Sequence, residues 1–146
     1  MVRSGMKWIL FLSLIGLMPL LMSQVSPDLL RSHRWQHRLV LVFHPGAAPD
    51  LMDQQEAIPV ADPHGWAERD LQLIRLPAGD TDAPALYERF QIESGTFTVL
   101  LIGKDGGEKA RRVGAILSRE DLYALIDTMP MRQAEMRRQS GGGNRP

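Results

Sequence analysis

Thr96-Phe97-Thr98-Val99-Leu100-Leu101-Ile102-Gly103-Lys104-Asp105-Gly106-Gly107 decides how this chain folds. The first seven residues are β-branched, aromatic or leucine, the composition of a strand packed on both faces. Lys104-Asp105-Gly106-Gly107 then supplies a hairpin turn, because glycine reaches positive φ without a Cβ clash. Glu108 to Val113 returns as an antiparallel partner. Upstream, Leu39-Val40-Leu41-Val42-Phe43 is a second continuous apolar run, closed by His44-Pro45-Gly46. Two unbroken apolar runs demand cover on both faces, so they belong side by side in the centre of one sheet.

The remaining elements fall around these two. Pro49-Asp50 opens a helix in which Asp50 is the expected cap and Asp53 suits the dipole. It should end near Ile58, since Pro59 disfavours helical geometry in the residue before it, and Pro59 to Gly65 reads as a connection. Leu71 to Leu76 is a strand, and Asp80-Thr81-Asp82 starts a short helix with Leu86 and Phe90 on one face. Ser118-Arg119-Glu120-Asp121 resembles a capping box. Behind it Leu122, Leu125, Ile126 and Met129 make an amphipathic helix closed by Pro130. The order β-α-β-α-β-β-α predicts an α/β three-layer sandwich with a mixed central sheet.

The chain has 146 residues, no net charge and no cysteine. The missing cysteine excludes disulfides, zinc–thiolate and iron–sulfur sites, and thiol nucleophiles within it. Residues 1–23 pair a basic start (Arg3, Lys7) with an apolar run from Trp8 to Met22, the pattern of an export signal. That run is shorter than the roughly 20 residues that span a bilayer. The residues around Ser23 and Ser26 do not match a signal-peptidase junction, so cleaved signal and membrane anchor both stay open. Residues 27–130 form the expected domain, and residues 24–130 carry 11 basic and 16 acidic side chains. Such a balance offers no broad basic face for nucleic acid. Residues 131–146 are basic, end in Ser140-Gly141-Gly142-Gly143-Asn144-Arg145-Pro146, and read as a largely disordered tail.

The layout resembles thioredoxin-like proteins. Val42-Phe43-His44-Pro45 looks like the approach to a peroxiredoxin active loop, and Leu101-Ile102-Gly103-Lys104-Asp105-Gly106 like a thioredoxin third strand and turn. More specifically, four stretches resemble the bacterial domain of unknown function 4174, which also occurs in extracellular sushi-repeat proteins. They are Trp35-Gln36-His37-Arg38, Glu68-Arg69-Asp70-Leu71, Gly103-Lys104-Asp105-Gly106-Gly107, and Ile126-Asp127-Thr128-Met129-Pro130-Met131-Arg132-Gln133-Ala134-Glu135-Met136. The resemblance implies a thioredoxin-like sandwich over residues 28 to 137. The departures lie at the chemistry. The paired thioredoxin cysteines would fall near Ala48-Pro49-Asp50-Leu51, and Met52 stands at the peroxiredoxin cysteine position. Disulfide exchange and peroxide reduction need a thiolate.

Candidate site residues are correspondingly few. His44, Pro45 and Asp50 occupy the loop where redox relatives carry their chemistry. A His44–Asp50 pair could serve as a general base, but no nucleophile accompanies it, so no catalytic residue is assigned. His33 and His37 share a metal-like spacing without a third ligand, and neither metal nor cofactor is expected. Glu68-Arg69-Asp70 reads as surface or rim ion pairs of small worth, and Trp35, Trp66, Phe90 and Phe97 as core or rim packing. The expected function is an exported non-redox binding or scaffolding domain, periplasmic or secreted, with another extracytoplasmic protein as partner. The alternative is an enzyme working through His44 and Asp50. The His44–Leu51 loop is the expected contact surface, with Met131–Arg138 next.

Overall fold

A computed structural model describes residues 26–46, 48–79 and 83–141. Residues 1–23, the expected export signal, lie outside them. Ten elements follow in order: α1 (Ser26–His33), β1 (Arg38–His44), α2 (Pro49–Ala61), α3 (Pro63–Glu68), β2 (Leu71–Pro77), α4 (Pro84–Arg89), β3 (Thr98–Ile102), β4 (Glu108–Val113), α5 (Arg119–Asp127) and α6 (Pro130–Gly141). The expected β-α-β-α-β-β-α order is present, with α1, α3 and α6 added to it.

The sheet runs β2-β1-β3-β4. β1 pairs in parallel with β2, Arg38 opposite Leu71, and antiparallel with β3, Leu39 opposite Ile102. The two apolar runs are therefore adjacent and central. Strand alternation sends their side chains to opposite faces. Val40, Val42, Val99 and Leu101 meet Met52 and Ile58 of α2, Trp66 of α3, and Leu122 and Ile126 of α5. Leu39, Leu41, Phe43, Leu100 and Ile102 meet Leu30 of α1, Leu86 of α4 and Phe90. Helices thus cover both faces, which is why these strands carry no polar alternation. β4 closes one edge with Lys109, Arg111 and Arg112, charges that discourage further strand pairing.

Buried Gln55 ties the α2 layer to the segment before α5. Its amide donates to the Leu117 carbonyl at 3.2 Å, and the Leu117 N–H donates back to Oε1 at 2.8 Å. Ser118 caps α5, its hydroxyl accepting from the Asp121 N–H at 3.1 Å. In the β3–β4 turn Gly106 takes φ +84°.

Several boundaries differ from expectation. α2 continues past Pro59 to Ala61. A proline in the last turn removes one backbone donor, and burial of Met52, Gln55 and Ile58 outweighs that loss. Ala48, not Asp50, is the N-cap of α2, with Pro49 in the first turn beside Asp50. β3 starts at Thr98 rather than Thr96, although the Phe97 carbonyl still accepts from the Gly114 N–H just past β4 at 2.7 Å. Trp35 is 59% exposed with φ +67°. The chain reverses from α1 into β1 there, the Trp35 N–H donates to the Lys104 carbonyl at 2.7 Å, and the indole is left outside the core. The largest difference is the tail. Pro130 ends one amphipathic segment but also opens α6, since proline's missing N–H is harmless at a helix start.

Candidate functional site

The His44–Leu51 loop contains little chemistry among its described residues. His44 ends β1 half-buried, and its carbonyl accepts from Ala78 N–H at 3.2 Å. Pro45 is half-buried, and its carbonyl accepts from Ala48 N–H at 3.3 Å. Asp50 is exposed on the first turn of α2. Among the described residues, no hydrogen bond joins the His44 and Asp50 side chains. Met52, where a peroxiredoxin places its cysteine, is buried in the core. His33 and His37 do meet, Nδ1 to Nδ1 at 3.2 Å, and burial together with the His37 ring holds the His33 imidazole below its ordinary pKa. The described residues contain no group of three or more potential ligands that could hold a metal ion.

Charged groups concentrate at the other pole. β1 starts, β2 starts and β3 ends there, a consequence of parallel and antiparallel pairing. Arg38, the first residue of β1, is 1% exposed; its guanidinium donates to Glu135 of α6 at 3.2 and 3.3 Å and to the Arg69 carbonyl at 2.9 Å. Lys104, just past β3, reaches both Glu135 and Asp70 at 2.7 Å. Beside this chain a closed ring forms. Arg69 pairs with Asp127 at 2.6 Å, Asp127 with Arg132 at 3.2 Å, Arg132 with Glu68, and Glu68 with Arg69 at 3.9 Å. The Arg69 guanidinium also lies 3.9 Å over the Tyr123 ring, adding a cation–π contact.

The Glu68-Arg69-Asp70 stretch is therefore not a set of independent surface pairs. α6 folds over it, and Arg132 becomes 1% exposed. Burial pushes the Glu135 carboxyl upward, but hydrogen bonds from Lys104 and Arg38 more than offset this and hold it below the usual range. Asp127 behaves alike, burial opposing and Arg69 and Arg132 prevailing. These bonds fasten α6 to the sheet end without an apolar stripe on the helix.

Next to this network lies a groove of about 490 Å³, floored by Arg38 and Lys104 and walled by Leu125, Met129, Pro130 and Met131. Leu125 and Met131 remain 36% and 38% exposed on its rim. Its volume falls in the range of small-ligand or side-chain-receiving pockets, ~300–1,000 Å³. The buried Arg38 Nε has no hydrogen-bond partner. Sequence reasoning did not find this groove. A signal was present, since charges abut three apolar strands at ends that the topology brings together.

A family model described as "Domain of unknown function (DUF4174)" matches residues 29–135, a stretch that contains every residue of the ionic network. Among solved structures, the reduced 2-Cys peroxiredoxin of Plasmodium vivax superposes with a TM-score of 0.52 at 10% identity, over 71% of this chain and 83% of that one. A thioredoxin from Thermus thermophilus gives 0.45 at 20% identity, over 75% and 85%. The peroxiredoxin likeness concerns the fold alone.

Proposed function

The chain belongs to the DUF4174 family, and on that premise we propose that it is an exported, non-thiol binding module that docks another extracytoplasmic protein in the groove beside α6. One observation carries the reading. A thioredoxin-like frame holds a buried Met52 where a thiol would stand, and the chain has no cysteine to replace it. Function is argued from the site, and here the site lacks the nucleophile. The groove supports a binding role, since its rim offers exposed Leu125 and Met131 and its floor is held by ion pairs. The His44–Leu51 loop is composed of small and stiff residues, among them Pro45, Gly46, Ala48 and Pro49.

Export rests on the basic start and the Trp8–Met22 run. A reporter fused after residue 30 is expected to be active only when translocated. For the docking face, the tagged protein is used to capture partners from the extracytoplasmic fraction. Leu125→Asp with Met131→Glu is expected to abolish capture while leaving the melting temperature nearly unchanged. Capture that survives this change but is lost in His44→Ala with Asp50→Ala moves the face to the loop.

A further inference from the structure

Twelve arginines and two lysines lie among the described residues, and nine of these cations have a carboxylate within 4 Å. Five have none among the described side chains: Arg31, Arg34, Arg89, Arg137 and Arg138. The first three line one recess of about 220 Å³, formed where the ends of α1 and α4 meet the β3–β4 turn. Three exposed guanidiniums around one small hollow repel each other, weakly because solvent screens them, and an anion bound among them relieves that repulsion.

Among the described residues two groups could do so, and neither suffices. Asp105 lines the recess, but its carboxylate is occupied: Oδ2 accepts from Lys109 at 2.7 Å and Oδ1 from the Gly107 N–H at 3.0 Å. Lys109 cancels its charge. Arg31 and Arg89 each stand in the last turn of a helix, where a cation is favoured by the dipole. Each helix end carries roughly half a negative charge, so two of them neutralise about one of the three guanidiniums. An excess of about two positive charges remains.

We propose that this recess is a binding site for a phosphate-type oxyanion, gripped chiefly by Arg34 and Arg89. Guanidinium forks match tetrahedral oxyanions through paired N–H donors, and a doubly charged anion cancels the residual charge. The recess is lined by Arg31, Arg34, Arg89, Asp105, Gly106 and Leu30. Most of that lining is polar, as recognition of a charged group requires. The site is distinct from the groove beside α6, although Asp105 lines both. The phosphate could belong to a soluble molecule or to a lipid headgroup. The lipid source has a topological motive, because Arg31 and Arg34 stand nine and twelve residues after Met22, the end of the apolar run from Trp8.

The test uses the full chain. Calorimetry with inorganic phosphate and pyrophosphate, against sodium chloride of matched ionic strength, reads the soluble source. Co-sedimentation with phosphatidylcholine vesicles, with and without phosphatidylglycerol, reads the lipid source. The variant is Arg34→Ala with Arg89→Ala; both side chains are exposed and lie over the Trp35 and Phe90 rings, contacts of small worth at the surface, so its melting temperature should fall only slightly below wild type. Wild type is expected to bind at least one of the two probes saturably. The variant should bind it at least about tenfold more weakly, the worth of a single charge-assisted hydrogen bond. Arg137→Ala with Arg138→Ala should bind as wild type does. Pyrophosphate binding alone assigns a soluble phosphate, and phosphatidylglycerol dependence alone assigns a headgroup. The proposal is overturned if neither probe exceeds the chloride or neutral-lipid control, or if the Arg34/Arg89 variant binds like wild type.

Discussion

Replacing Glu135 by Gln removes the one negative charge shared by Arg38 and Lys104 while keeping side-chain length. Lys104 keeps Asp70 at 2.7 Å. Arg38, 1% exposed, is left with the Arg69 carbonyl and at most one neutral amide oxygen in place of the carboxylate, and its Nε lacks a partner among the described residues. Stripping one partner from a buried pair costs about 3–5 kcal/mol. Because Glu135 is itself slightly exposed and Lys104 is still paired, the low end applies, about 3 kcal/mol. For a domain of this size that corresponds to a fall of about 12 °C in Tm, at ~4 °C per kcal/mol. Thermal unfolding followed by circular dichroism at neutral pH measures it. The pH dependence supplies an independent check. Burial pushes the Glu135 carboxyl up, the bonds from Lys104 and Arg38 pull it further down, and the net pKa in the fold is lowered. A lowered folded pKa contributes stability above the unfolded value and loses it as pH falls through the folded one. The gap between wild type and Glu135→Gln should therefore be full at neutral pH and close below about pH 4, under the unfolded glutamate value. A variant melting within ~2 °C of wild type at neutral pH refutes the reasoning, as does a gap that does not narrow in acid.

Leu41, fully buried in the central strand, should not tolerate Asp: an unpaired buried carboxylate costs several kcal/mol against a total margin of about 5–15, so Leu41→Asp should show no cooperative unfolding transition. Gln55→Leu keeps the volume but orphans the Leu117 N–H and carbonyl, and should lower stability by about 2–3 kcal/mol in urea titrations. Ser118→Ala removes the α5 cap and should cost about 1 kcal/mol by the same measurement.

Much of the frame is legible from local pattern. Leu39–Phe43 and Thr96–Ile102 announce themselves as central strands because their unbroken apolar and β-branched residues favour burial on both faces. Ser118 and Gly106 are readable for a similar reason, since a cap hydroxyl and a positive φ are requirements of one or two residues. Trp35 was not readable. Its apolar ring points to a core, while the reversal between α1 and β1 turns it outward. α6 misleads in the opposite direction: Met131 to Ser140 has no apolar stripe, so periodicity finds no reason for it to pack.

The sequence by itself determined the two-faced sheet, the places of α2, α4 and α5 between its strands, the exclusion of chemistry by a thiol of this chain, and the motifs that resemble one family, because each depends on residue type and short spacing. Only the tertiary structure decided what those motifs are for. Arg38, Glu68, Arg69, Asp70, Lys104, Asp127, Arg132 and Glu135 are far apart in the chain and individually look like solvated charges. Strand direction brings the first five to one pole, and α5 and α6 bring the rest across them. An ion pair acquires its strength from burial, and burial is a property of the assembled fold that no single stretch of sequence contains.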